Sequence, residues 1–320
     1  AMDMRDEVEL LVRSSDGTQA RIYTMNVKVR ANDPLQLTWK KETTCEALGC
    51  NVAQRAAMLD GELVVVGRHQ DGTVWAARPM ADDASACQCT GADNIDLTTL
   101  RSHNGTLYAT NADKAMISST DGVTWTATGV SGAQLLGIGS DGTMYGYGAV
   151  PATLGPGSTE WTDAGMDESQ ELWPTECVNV VETGTSMGHR FVVAAGLRDA
   201  SLGDTFAMVW SKSLAAGSQW IYYAPKVRPA YMLPALKDLQ VVSHAYRLVA
   251  MGLEYGSHQA LESMHVSVDC GVTWNKTTGW STPYTLRGRT QPLAVAAGAD
   301  DAPFYVVSGD EVWSAVSNEL

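Results

Sequence analysis

The first patterned stretch of the chain alternates strictly. Val8, Leu10 and Val12 stand between Glu9 and Arg13. Tyr23, Met25, Val27 and Val29 stand between Thr24, Asn26, Lys28 and Arg30. A period of two means strands with one apolar face, and Ser15-Asp16-Gly17 supplies a turn between them. The segment is therefore expected to be a β-hairpin, closed by the break at Asn32-Asp33-Pro34. A lone hairpin is marginal in water, so it is read as the remnant of a preceding β-rich module, with residues 1–32 separate from a main body at 33–320.

Beyond Pro34 no long helical periodicity appears. Short apolar runs alternate with Asp60-Gly61, Asp71-Gly72, Asn104-Gly105, Asp121-Gly122 and Asp141-Gly142, the dipeptides of tight hairpins. The runs also repeat. One unit is an apolar strand ending in glycine: Val64–Gly67, Val193–Gly196 and Val249–Gly252. The strand after it recurs as Val74-Trp75-Ala76, Met116-Ile117-Ser118, Val209-Trp210-Ser211, His265-Val266-Ser267 and Val312-Trp313-Ser314, with a degenerate copy expected near residue 150. The mean spacing is about 48 residues, within the range of four-stranded propeller blades. Trp125, Trp161, Trp220 and Trp274 each follow the repeated strand after a turn, which places them at outer strands.

Six copies predict an all-β, six-bladed β-propeller of four-stranded blades. A seventh blade would need one more repeat. Too little chain follows Trp313 for an outer strand, and the strand around Trp39 has no blade of its own. It is expected to complete the last blade and so remove the open sheet edges.

One motif is specific. Ser267, Asp269, Gly271, Thr273 and Trp274 spell S-x-D-x-G-x-T-W. The stretch Ser118, Asp121, Gly122, Thr124 and Trp125 is a near match with the aspartate one place late, and Gly157–Trp161 and Gly217–Trp220 are eroded versions. The pattern resembles the Asp-box, or bacterial neuraminidase repeat. There the carboxylate accepts amide hydrogen bonds in a tight turn and the Trp packs between blades. The resemblance implies a sialidase-like fold, with these residues structural and set away from the usual ligand face. Arg21–Arg30, Asp33-Pro34 and Trp39 further resemble the module junction of an uncharacterised family of secreted, often lipid-anchored propellers from gut Gram-negative bacteria. That resemblance implies a secreted, periplasmic or cell-surface lipoprotein. No signal peptide opens the sequence, and a mature exported chain would have lost one.

Ligand-binding residues are expected in the loops leading into each first strand and between second and third strands: Arg68, His69, Trp173, Arg198, Arg228, Tyr231, Tyr255, Trp280, Tyr284, Arg287 and Arg289, with Arg55, Glu176, Glu254 and His258 nearby. Aromatic faces stack on sugars and arginine pairs with carboxylates. The expected function is a non-catalytic module binding a glycan or glycoprotein. A protein-interaction platform and a sialidase-like glycoside hydrolase are the alternatives. The Arg-Ile-Pro motif of sialidases is not matched, because Arg21-Ile22 is followed by Tyr23.

Charge and composition narrow this further. The chain of 320 residues is 45% hydrophobic and 18% charged, so it can form a core. A net charge of −14 disfavours nucleic acid and anionic membrane surfaces as partners. No apolar run is long enough to span a bilayer, although a lipid anchor on the full-length protein is compatible. No zinc, calcium or nucleotide-loop spacing is found, so no metal or cofactor is expected. Six cysteines without a C-x-x-C pair read mainly as small buried thiols, with Cys45–Cys50 the most local disulfide candidate. A monomer is expected.

Overall fold

A computed structural model describes residues 8–13, 20–25, 36–166, 171–185, 187–198, 205–223, 229–254, 263–298 and 302–317. Strands β1 (Val8–Arg13) and β2 (Ala20–Met25) pair antiparallel as the predicted hairpin, Val8 opposite Met25 and Arg13 opposite Ala20. The Ser15–Gly17 turn and residues 26–35 lie outside the described residues.

The rest is six antiparallel sheets of four strands. Blade 1 holds β4 (Asn51–Leu59), β5 (Glu62–His69), β6 (Val74–Ala77) and β7 (Cys87–Gln88). Blade 2 holds β8 (Ile95–His103), β9 (Thr106–Asn111), β10 (Ala115–Ser119) and β11 (Thr126–Ser131). Blade 3 holds β12 (Gln134–Ile138), β13 (Met144–Tyr147), β14 (Pro151–Leu154) and β15 (Thr162–Asp163). Its third strand is the degenerate copy expected near residue 150. Blade 4 holds β16 (Glu176–Gly184), β17 (Arg190–Leu197), β18 (Met208–Ser213) and β19 (Ile221–Tyr222). Blade 5 holds β20 (Leu236–His244), β21 (Arg247–Glu254), β22 (Ser263–Ser267) and β23 (Asn275–Ser281). Blade 6 holds β24 (Leu293–Ala297), β25 (Phe304–Ser308) and β26 (Glu311–Ser317).

The fourth strand of blade 6 is β3 (Leu37–Thr44), which pairs with β26 from Glu311–Thr44 to Ser317–Leu37. Trp39 anchors it. Its indole N–H donates to the Ser281 carbonyl at 3.1 Å and its ring meets Phe304 edge-on at 5.6 Å. Chain closure thus satisfies the free edge of β26 with backbone bonds.

Turn chemistry is local. Asp60 and Gly61 have φ of 50° and 84°, and Asn104 and Gly105 have 46° and 69°. Positive φ at both central residues gives the turn twist that matches two right-twisted strands. The glycine that ends each repeated second strand has a different cause. The first strands β4, β16 and β20 shift register near their starts, between Asn51 and Ala53, Glu176 and Asn179, and Lys237 and Gln240. Residues at or just before each bulge press on the neighbouring strand. A Cβ at Gly252 would stand 2.8 Å from Leu236 Cβ and 3.0 Å from the Lys237 carbonyl oxygen. The repeat spelled by these glycines is therefore the footprint of a bulge on the partner strand.

The core lies between blades. Trp220 and Trp173 meet edge-on at 5.1 Å, and Trp210 lies 5.8 Å from Trp173, filling the wedge shared by blades 3 and 4. Trp274 packs with Val193, Val209 and Leu248 between blades 4 and 5. All six cysteines are free thiols, so the Cys45–Cys50 bridge is not formed. Burial holds the Cys89 thiol up at about 12.

Candidate functional site

Neighbouring first strands β4, β8, β12, β16, β20 and β24 contact one another in a closed ring around a channel. A cavity of about 360 Å³ occupies it. Its walls are the middle and carboxyl-terminal halves of these strands: Arg55–Met58, Leu100–His103, Ile138–Ser140, Asn179–Glu182, Gln240–Ser243 and Val295–Gly298. It therefore opens at the mouth ringed by the hairpin turns between first and second strands. The expected site was the opposite mouth.

Two arginines form the floor. Arg55 on β4 is 8% exposed and reaches across the channel. Its Nη1 donates to the Gln54 carbonyl at 2.9 Å and its Nη2 stands 3.5 Å from Asp238 Oδ1 on β20. Asp238 sits in the β20 bulge with φ of 53°, so the bulge re-aims this carboxylate at the channel. Arg101 on β8 is held by four carbonyls. Nε donates to Leu136 at 2.8 Å, Nη1 to Thr98 at 3.0 Å and Leu100 at 2.7 Å, and Nη2 to Val178 at 3.3 Å. Burial first, and then the charge of Arg55, lower the Arg101 pKa to about 10, while Asp96 opposes them. Arg101 therefore remains a cation at neutral pH.

Amides stitch the wall to the next blade. Asn179 Nδ2 donates to the Leu239 carbonyl at 2.8 Å, and Gln240 Nε2 donates to the Leu293 carbonyl at 2.8 Å while its Oε1 accepts from Val295 N at 2.9 Å. At the rim, Glu182 is paired with Arg190 at 2.5 Å and accepts from Ser140 N at 2.6 Å. A second hollow continues outward over Thr183, Gly188, His189 and Tyr246.

The residues expected to bind ligand are dispersed. Arg68 bridges blades, donating to the Ile95 carbonyl at 2.7 Å and the Gly72 carbonyl at 3.0 Å. His69 stacks on Trp75 with ring centroids 5.2 Å apart. Trp173 and Trp280 are 3% and 2% exposed, so neither offers a face to a sugar. Trp173 belongs to the blade 3–4 wedge. Trp280 lies in β23, with Arg247 stacked 5.2 Å from its ring centroid. Arg289 is paired with Glu311 at 2.8 Å and donates from Nε to the Thr285 carbonyl at 2.7 Å. Arg287 donates from Nε to the Thr282 carbonyl at 3.0 Å. Tyr231 and Tyr284 are exposed, as is Arg198 just past β17. Arg228, Tyr255 and His258 lie outside the described residues. Arg55, expected in a blade connection, is instead in β4 on the channel. Arg101 was missed altogether. Its strand also carries Asp96 and ends in the polar Ser102 and His103, so nothing in the sequence set Arg101 apart.

The two aspartate turns form as dense hydrogen-bond knots. In blade 5, Ser267 Oγ donates to Asp269 Oδ1 at 2.9 Å and accepts from Gly271 N at 2.8 Å. Thr273 N donates to Oδ1 at 2.8 Å, Thr273 Oγ1 donates to Oδ2 at 2.6 Å, and Trp274 Nε1 donates to the Gly271 carbonyl at 3.1 Å. In blade 2 the partner of Asp121 is Ser119 at 2.9 Å. The expected Ser118 is instead an ordinary strand residue opposite Tyr108 and Thr126. The serine-to-aspartate spacing is thus equal in both turns, and the difference lies after the aspartate.

Among the described residues no cluster of metal-ligating side chains occurs, and no helix is long and apolar enough to cross a membrane. The fold defines a six-bladed, amino-terminally closed β-propeller with a lined channel. Residues 33–320 match the model of the DUF6242 beta propeller domain, and the chain belongs to that family. No curated protein matches the sequence. Among solved structures, YjhT aligns over 83% of this chain and 93% of its own at 12% identity, with a TM-score of 0.50. A protein of unknown function from Bacteroides thetaiotaomicron aligns over 88% of this chain and 76% of its own at 7% identity, also at 0.50. Likeness at such identity concerns the fold alone.

Proposed function

We propose that the chain is an exported, non-catalytic Asp-box propeller that binds a glycan, free or on a glycoprotein, at the channel mouth ringed by the hairpin turns. The observation that carries this reading is the preformed cavity over Arg55 and Arg101. Its volume of about 360 Å³ falls in the roughly 300–1,000 Å³ range of small-ligand pockets. First strands held on both sides by neighbouring blades make its walls rigid, which lowers the ordering cost of binding. The one carboxylate that lines it among the described residues, Glu182, is tied to Arg190 and Ser140. Glycoside hydrolysis ordinarily uses two carboxyl groups facing each other across the bond.

The test is a broad glycan array with the purified chain, scored for retention and for released sugar. Saturable retention without release is the expected result. Release of product would overturn the non-catalytic reading. Silence on every glycan would overturn the glycan reading and leave a protein-interaction platform.

A further inference from the structure

The floor of the channel cavity is electrically incomplete. Every hydrogen bond described for Arg101 ends on a backbone carbonyl. The carboxylate paired with Arg55 is Asp238, 3.5 Å away and with its side chain 39% exposed. Asp96, the nearest anionic influence on Arg101, is occupied by Thr98 and by Gln134 Nε2 at 2.8 Å. Two mutually repelling guanidinium groups therefore stand in the floor of the cavity with one loosely paired carboxylate on Arg55 and no carboxylate among the hydrogen bonds described for Arg101, in a chain whose net charge is −14. Buried cations are costly without close anionic partners, and a cleft with low-dielectric walls focuses their field on whatever occupies it. Arg55 also keeps most of its five N–H groups free of described partners, and guanidinium forks fit carboxylates bidentately.

We infer that Arg55 and Arg101 seat the carboxylate of an acidic sugar at the floor of the channel cavity. This deepens the glycan reading and rests on it. The wall above the floor is suited to hydroxyl groups: Ser102, His103 and Ser243 line it, and Asn179 keeps Oδ1 as an acceptor once its amide is spent on the Cys177 and Leu239 carbonyls. The carboxylate lies deepest, and the rest of the sugar faces the mouth near the Glu182–Arg190 pair.

Calorimetric titration with matched pairs tests this: trigalacturonate against its carboxyl-reduced trimer, and sialyllactose against lactose. At least one acid is expected to bind about tenfold or more tightly than its neutral partner, and to weaken as salt is raised. Arg55→Gln should lose about tenfold on the acid, and more on the acid than on the neutral partner. Asp238→Asn removes the competing internal anion and should tighten the acid about threefold, a gain that misfolding cannot mimic. Equal binding of acid and neutral partner, unmoved by both variants, would overturn the carboxylate inference while the glycan reading stood. Failure of every acid and neutral glycan alike would overturn both.

Discussion

Blades 2 and 5 build the turn before the outer strand in one way, and blades 3 and 4 in another. In the first pair a single aspartate carboxylate gathers a serine hydroxyl and a threonine amide, and the Trp indole N–H donates to a glycine carbonyl at 3.1 Å. In the second pair the aspartate is missing. Ser158 Oγ is left with Glu160 backbone groups, and the buried indole N–H groups of Trp161 and Trp220 have no partner among the described residues. Yet all four tryptophans stand immediately before an outer strand and all four blades form. The Trp ring is the shared element, buried in blades 2, 4 and 5 and half-buried in blade 3. The carboxylate knot adds directional stability on top of it. The knot also tolerates a change of length, since blade 5 inserts Cys270, at φ of 57°, where blade 2 goes directly from Asp121 to Gly122.

The sharpest way to break this comparison is to remove the carboxylate. Asp269→Ala strips acceptors from Ser267, from Thr273 N and from Thr273 Oγ1 together. It should destabilise the chain by about 3 kcal/mol in chemical denaturation. A loss below about 1 kcal/mol would mean the knot is decorative. Next comes register. Ser119 both donates to Asp121 and accepts from Gly122 N at 2.9 Å. Ser119→Ala should cost about 1–2 kcal/mol, while Ser118→Ala should stay within about 0.5 kcal/mol. Reversal of that order would restore the longer motif. Third is the indole N–H. Trp274→Phe breaks a buried bond and Trp161→Phe removes an unpartnered donor, so melting should show the former costing about 1 kcal/mol more.

These contrasts also explain what could be read in advance. Alternation and Asp-Gly or Asn-Gly turns are local, so the hairpins, the third-strand repeat and closure through Trp39 were legible. The knot in blade 2 was legible as a site but not in register, because Ser118 and Ser119 are identical residues and only their strand faces tell them apart. Trp173 and Trp280 misled for a similar reason. An aromatic near a blade connection has the same sequence whether it lies open or fills a wedge. Arg101 was illegible because a charge on a strand that also carries Asp96 and ends in Ser102 and His103 normally marks the solvent face. Only closure of six blades turns that face into a channel, and closure is a property of the ring.

The smallest expected effect is a pH dependence in the blade 2 knot. Burial alone would raise the Asp121 carboxyl, but amide bonds from Thr124 and Val123 and the Ser119 hydroxyl hold it down at about 2. A folded pKa below the unfolded value near 3.8 means that the contribution is complete above about pH 4.5 and is lost as pH falls through 2. Asp121 is exposed, so water screens part of this and the change will be modest. Asp121→Asn keeps an acceptor oxygen but removes the titration. Denaturation midpoints of wild type and variant should differ at pH 6 and converge towards pH 2. A gap that stays constant over this range would show that Asp121 works as a neutral acceptor would, and that its charge adds nothing to the turn.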